Sequence, residues 1–334
     1  MNVLLTSVGR RAYLVKYFKE AIGEMGQVHV CNSDDRTVAF HYADKAVVSP
    51  LIYDERYIPF LLNYCKENQI GIVVSLFDID LLMLAKNKEK FAEIGTQVIV
   101  SDPAYIEICN DKWMTYRFLC EQGFHTPKTY ESLDGVCKAL ANGEVQYPVV
   151  VKPRFGCGSI AVEIAWDEAD LRYLYKKGTR EVNRSYLRFE SAAVAEKLIF
   201  QERLEGQEYG ADIINDLQGK HCSVIVRKKL AMRAGETDAA QIVDAPAIRA
   251  ELEKLAAVTG HIGNVDCDIF LVDNVPYILE MNARFGGGYP FSHMGGCNLP
   301  KAIVAWCMGE TVDPSALKAQ PGMIGYKELY ITQV

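Results

Sequence analysis

YILEMNARFGGG, from Tyr277 to Gly288, is an apolar run broken by an acid and an amide two residues apart, Glu280 and Asn282. Side chains two apart on a strand share a face. The pattern therefore predicts a half-buried strand that delivers two hard oxygen donors to one side, with Arg284 directly after them. Hard oxygens beside a guanidinium suit a site that holds Mg²⁺ and a phosphate together. A second acid, Asp268, lies in the preceding run GNVDCDIFLV, and Asp273-Asn274 between the runs reads as a hairpin turn. One hairpin can thus present Asp268, Glu280 and Asn282 to a single cation, with Asp266 a competing first ligand. Solvated acids on an edge strand are the bland reading, and Leu279 and Met281 flanking Glu280 argue against it.

Composition sets the frame. The chain has 334 residues, is 49% hydrophobic and carries a formal net charge of −7. That is enough apolar surface for two or three modules. A net acidic chain is not built for broad nucleic-acid binding, which rewards a basic surface. No apolar run reaches membrane-spanning length, and MNVLLTSVGRR does not read as a signal peptide. The ten Cys include no CxxC pair. They read as reduced, mostly buried thiols of a cytoplasmic protein, and zinc ligation is not expected.

The first hundred residues alternate β and α: strands at Val3–Thr6, Val28–Asn32, Ile72–Leu76 and Val98–Val100, helices at Ala12–Ile22 and Tyr57–Asn68. Such alternation predicts a doubly wound parallel sheet. The first turn, TSVGRRAY, lacks GxGxxG, so no dinucleotide site is expected. Arg10 and Arg11 there could meet an anion, but solvated arginines are the simpler reading. Asp78 and Asp80 follow a strand and either face a ligand or cap the next helix. Past Ser101-Asp102-Pro103 the pattern changes to a helix through Lys112 and Trp113. Strand, glycine loop and strand follow, as Tyr147–Lys152, Arg154–Ser159 and Ile160–Ile164. The segments AVAEKLIFQERLEGQEYGADIIN and KHCSVIVRKKLAM read as antiparallel strands. Ala245–Thr259 and Leu299–Met308 read as helices, and Gly235-Glu236-Thr237 as an exposed, mobile loop.

Lys152 closes an apolar strand just before RFGCGS. A half-buried ammonium needs a partner, and a phosphate approached by the backbone of Gly156 and Gly158 is a natural one. Alone, this is no more than a glycine turn. Gln201 and Glu202 end a strand, and Leu204 and Glu208 follow. Extended backbone there can meet a base edge, and an acid can accept from ribose hydroxyls. Arg227 and Lys229 share a strand face, and Arg227 reads as a cationic seat for a substrate carboxylate or phosphoryl group. Arg233 and Glu236 do so more weakly. Phe285–Pro290 is a glycine-rich lining for an acceptor pocket, and His293 reads as structural.

In this order the motifs resemble those of the ATP-grasp superfamily, in its carbamoyl-phosphate synthase large subunit-like and biotin carboxylase-like branch. The resemblance implies an α/β and α+β chain. It would have an N-terminal doubly wound, Rossmann-like pre-ATP-grasp domain (1–102) and a two-subdomain ATP-grasp fold: a helical linker and lid (103–195) and a catalytic subdomain (196–334). It implies that Lys112 and Lys152 are nucleotide lysines and that Arg154, Gly156, Gly158 and Ser159 form the lid. Glu202 and Leu204 would be the adenine hinge and Glu208 the ribose acid. Asp268, Glu280 and Asn282 would bind Mg²⁺ (or Mn²⁺), and Arg284, with Lys152 and Arg227, would act in catalysis. The implied activity joins a small carboxylate to an amine through an acyl phosphate, releasing ADP, in a protein that pairs as a homodimer in many relatives. Only one ATP-grasp unit is present, and Asp268 stands where carbamoyl-phosphate synthases often have Gln. Two alternatives follow: activation of bicarbonate to carboxyphosphate, and an ATP-binding regulatory module without turnover.

Overall fold

The computed structural model describes residues 1–156, 158 and 160–333. The N-terminal alternation forms a five-stranded sheet of β1 (Asn2–Thr6), β2 (Val28–Asn32), β3 (Lys45–Val48), β4 (Ile70–Ser75) and β5 (Gln97–Ile99). Its order is β3-β2-β1-β4-β5, and every pair is parallel. The helix Ala12–Ile22 buries Leu14, Val15, Phe18, Ala21 and Ile22, the stripe its spacing predicts. The expected helix to Asn68 ends at Glu67, and the last strand sits one residue earlier than read. Asp80 is neither a ligand-facing acid nor a cap. It is fully buried and accepts from Thr6 (2.7 Å), Ser7 (2.9 Å), Tyr57 (2.9 Å) and Ser75, which ties β1 and β4 to the helices packed on them.

A small antiparallel sheet follows: β6 (Thr129–Tyr130), β7 (Val149–Pro153), β8 (Glu163–Ala165) and β9 (Leu198–Glu202), in the order β6-β9-β7-β8. The resemblance implied a boundary at 195/196. The ladder from Val149–Glu202 to Pro153–Leu198 instead keeps β9 in the small sheet. The strand expected over Ile160–Ile164 is shorter and later, at Glu163–Ala165, and Ile160 and Val162 line the cleft ahead of it.

The third sheet runs β14-β13-β10-β11-β12-β15 and is antiparallel throughout. Its strands are β10 (Gln207–Asn215), β11 (His221–Arg233), β12 (Glu236–Ile242), β13 (Gly263–Val272), β14 (Val275–Asn282) and β15 (Ile324–Tyr326). Asp273 (φ 48°) and Asn274 (φ 65°) turn the β13–β14 hairpin, as a two-residue loop with both φ positive requires. The helices Pro246–Thr259 and Leu299–Cys307 match the predicted segments to within a residue.

Packing joins the first and third sheets. One core combines Leu4, Val73 and Leu84 with Ala211, Val226 and Ile278, and another combines Leu14 and Phe18 with Phe285, Tyr289 and Leu299. The small sheet has a core of its own around Val149, Val151, Leu171 and Phe200. The arrangement is a two-sheet base with a separately cored lobe above it. No helix among the described residues is long and apolar enough to cross a membrane.

Candidate active site

A cavity of about 760 Å³ lies between the lobe and the base. The register of the large sheet orders its floor. Gly210 on β10 pairs with Arg227 on β11 and with Asp268 on β13, and Asp268 pairs with Glu280 on β14. One step along, Asp212, Asp266 and Asn282 form the next row. β14 carries an extra residue, Leu279, between the pairs Asp268–Glu280 and Ile269–Ile278. This bulge turns Leu279 into the cleft beside Glu280, while Met281 is fully buried beneath. From Phe270 to Asp266 the floor passes from apolar to acidic to cation-bound over four residues, about 13 Å of strand.

Lys152 is 5% exposed, and its Nζ donates to Gln201 Oε1 at 2.8 Å. Burial, helped by the nearby Lys112, pulls its pKa down to about 8 against the pull of Glu280 and Asp268. Lys112 opens the helix Lys112–Glu121, which Asp111 caps, and its Nζ reaches the Gly156 carbonyl and Glu280 Oε1 (3.4 Å). Lys229 Nζ bridges Glu208 (2.6 Å) and Asp268 (2.7 Å). Burial opposes its charge, but these two acids outweigh that, and its pKa is raised.

At the cationic end, Arg227 is buried against Asp212, Ser292 (2.6 Å) and Asp266 (3.3 Å). Arg284 contacts Asp78 (3.1 Å) and Asp266 (3.1 Å). Burial raises the pKa of Asp266 to about 6, although Arg284 works to lower it. Asp266 faces the arginines and Asp268 faces Lys229; Asp268, Glu280 and the Asn282 amide are oxygens that could hold Mg²⁺. Among the described residues no three His, Cys, Asp or Glu side chains converge on one ion, so a cation here would rest on two carboxylates and an amide. The chemistry of that donor set suits a hard cation.

Glycines permit these approaches. A Cβ on Gly286 would lie 2.0 Å from the Asp266 carboxyl carbon, and one on Gly288 would lie 2.8 Å from Arg227 Nε. The lid closes in a similar way: a Cβ on Gly235 would meet the Gly158 carbonyl oxygen at 2.3 Å. The segment Gly235-Glu236-Thr237, expected to be an exposed mobile loop, is instead part of the β11–β12 hairpin: Gly235 lies in its turn against Gly158, and Glu236 and Thr237 already pair in β12.

Most predicted residues meet here. Lys112, Lys152, Gly156, Gly158, Glu202, Leu204, Glu208, Arg227, Asp268, Glu280, Asn282 and Arg284 all line the cavity. Arg154 does not: its guanidinium is held by Asp111 (2.7 Å) and Glu131 (2.6 Å), so it braces the lid strand from behind. Ser159 lies outside the described residues. Arg233 pairs with Asp238 away from the floor, and His293 stacks on Tyr17 at 3.6 Å in a structural role. The sequence reading missed Asp212, whose signal was an acid inside the apolar strand GADIIN. It also set Arg11 aside as solvated, whereas Arg11 lines the cavity and donates to the Leu76 (2.6 Å) and Phe285 (2.7 Å) carbonyls.

A PylC-like N-terminal domain profile matches residues 3–99, and an ATP-grasp domain profile matches residues 109–288. The carbamoyl phosphate synthase large chain of Corynebacterium glutamicum is 24% identical over 295 residues, covering 84% of this chain and 25% of its own length. That of Methanothrix thermoacetophila is 22% identical over 326 residues, covering 92% and 29%. This chain thus spans roughly a quarter of those relatives. The biotin carboxylase domain of Hydrogenobacter thermophilus 2-oxoglutarate carboxylase, solved with MgADP, ADP and bicarbonate, has a TM-score of 0.74 at 17% identity, covering 95% of this chain and 72% of its own. The L-amino acid ligase of Bacillus licheniformis has a TM-score of 0.65 at 20% identity, covering 96% and 75%. With the ATP-grasp profile extending over more than half of its length, the chain belongs to the ATP-grasp family.

Proposed function

We propose that this chain is an ATP-dependent ligase that joins a small carboxylate to an amine. A carboxylate oxygen attacks the γ-phosphorus of ATP, the bond to the bridging oxygen breaks, and ADP leaves. The amine nitrogen then attacks the acyl carbon, the bond to the phosphoryl oxygen breaks, and phosphate leaves with that electron pair as the amine sheds a proton. The difficulty is to bring anions together. Lys152 and Lys112 would meet the phosphates, Arg284 the transferring group, and Arg227 would hold Asp266 and the floor in register. Glu208 and Glu202 would hold ribose and base beside Leu204. Asp268, Glu280 and Asn282 would bind Mg²⁺, which when present offsets phosphate charge. The glycine lid, by excluding water, protects an acyl phosphate from hydrolysis.

One observation carries this reading: a buried lysine bonded to a neutral amide faces paired carboxylates across a lidded cleft. Lys152→Ala and Glu280→Ala should abolish ADP formation over a panel of carboxylates and amines, with circular dichroism unchanged. Near-normal ADP release from both purified variants would refute the assignment. Similarity to carbamoyl phosphate synthases supports a second reading, activation of bicarbonate. It predicts ADP release stimulated by bicarbonate alone. Nucleotide binding with no turnover on any pair would point to a regulatory module.

A further inference from the structure

In the N-terminal sheet the strand order reverses at β1, whose neighbours β2 and β4 lead to opposite edges. Ligands of open parallel sheets bind outside the carboxyl ends of the strands at such a point. The loops that leave β1 and β4 there carry Arg11 and Leu76, and Arg11 Nη1 bridges Leu76 O and Phe285 O. The crevice of the first sheet therefore opens into the cleft at Arg11.

The charges in the cleft are unequally matched. Arg227, Arg284, Lys229 and Lys112 each contact a carboxylate. Arg11 and Lys152 instead bond neutral carbonyl or amide oxygens. Lys152 sits in the nucleotide lobe, whereas Arg11 sits on the base, so the two serve different anions. Opposite Arg11 is Glu236, whose side chain would touch a Cβ on Gly287 at 3.2 Å and whose Oε2 is 3.2 Å from Lys327 Nζ. Burial works to raise the Glu236 pKa, but Lys327 and Arg11 outweigh it and keep the group ionised. Tyr13 Oη is buried without a hydrogen-bond partner among the described residues and feels Arg11, Glu236 and Arg284. It adds a neutral donor to the same corner.

We propose that Arg11 and Glu236, with Tyr13 beside them, recognise an amine substrate that carries its own carboxylate: an α-amino acid or a similar zwitterion. Arg11 takes the carboxylate and Glu236 the ammonium before it loses its proton to become the nucleophile. This rests on the ligase reading for its chemistry but not for its binding.

The test is calorimetry on the full chain with Mg²⁺ and ADP, using the standard α-amino acids of both hands and the matching α-amides, which keep the amine and lose the carboxylate. At least one amino acid should bind, about tenfold or more tighter than its amide. Arg11→Gln should close that gap. Glu236→Gln should weaken the amino acid by a similar factor, and Mg-ADP affinity in both variants should stay near wild type, which shows that they fold. Equal binding of acid and amide, a gap that survives Arg11→Gln, or no amino-acid binding at all would overturn the assignment. Binding of this kind without ADP release on any carboxylate would sink the ligase reading alone. ADP release with amines that lack a carboxylate would sink this proposal alone.

Discussion

Lys152 shows how a single residue couples burial to chemistry. Desolvation holds its pKa near 8, far below a free lysine, so the cation survives only while no stronger base or higher pH removes the proton. A bound triphosphate would stabilise the charged form. The sign follows: ATP affinity is full below pH 8 and falls as pH rises through that value, by about tenfold per pH unit once the lysine is neutral. Fluorescence titrations of ATP from pH 6.5 to 9.5 should show this fall in the wild type and a flat, weaker profile in Lys152→Met. A flat wild-type profile would mean that Lys152 does not meet phosphate. Asp212 and Arg227 illustrate the opposite case, a buried pair in which truncating Arg227 leaves the Asp212 carboxylate with the neutral donors Ser292 and Asn264, at a cost of about 3–5 kcal/mol.

Among elements, the β13–β14 hairpin and the glycine run after it act together. The hairpin register sets Asp268 against Glu280, and the bulge at Leu279 adds an apolar wall beside them. The run then returns so closely over the floor that Gly286 nearly touches Asp266. Gly286→Ala must push Asp266 off both arginines, because Asp266 is short and held on two sides. Overpacking of this kind costs about 1–3 kcal/mol. Urea denaturation should show that loss, and ADP release should drop by at least about tenfold as Arg284 keeps Asp78 but loses Asp266, the second of its two acidic partners. Wild-type turnover in this variant would show that Asp266 does not position Arg284.

For the whole molecule, acid stability has one clear contributor in His261, which stacks on Tyr105 of the helix Pro103–Asn110 and bonds β10 of the third sheet. It is 1% exposed, its Nδ1 lies 2.8 Å from Thr259 Oγ1 and its Nε2 lies 3.1 Å from the Ile213 carbonyl. Burial pulls its pKa down to about 4. Between pH 6.5 and 4 the unfolded chain therefore holds a proton that the folded chain refuses, so stability falls as pH drops through that window. The gap is worth about 3 kcal/mol. Urea midpoints measured from pH 7 to 4.5 should carry this contribution, and His261→Gln should make the slope shallower. An unchanged slope in the variant would assign the acid sensitivity to other groups.

The parallel first sheet was legible in the chain because buried strands read as short apolar runs. The acid-bearing β13–β14 hairpin was legible because two-residue alternation fixes which side chains share a face. Lys152 and its glycines were legible as an ammonium placed where an apolar strand ends. Only the tertiary structure decided that Arg154 braces Asp111 and Glu131 rather than the cleft, that β9 lies inside the small sheet between β6 and β7, and that Arg11 lines the cavity. The reason is physical. Periodicity reports the environment of a residue within its own element, whereas the partner of a long charged side chain is set by whichever element folds against it from elsewhere in the chain.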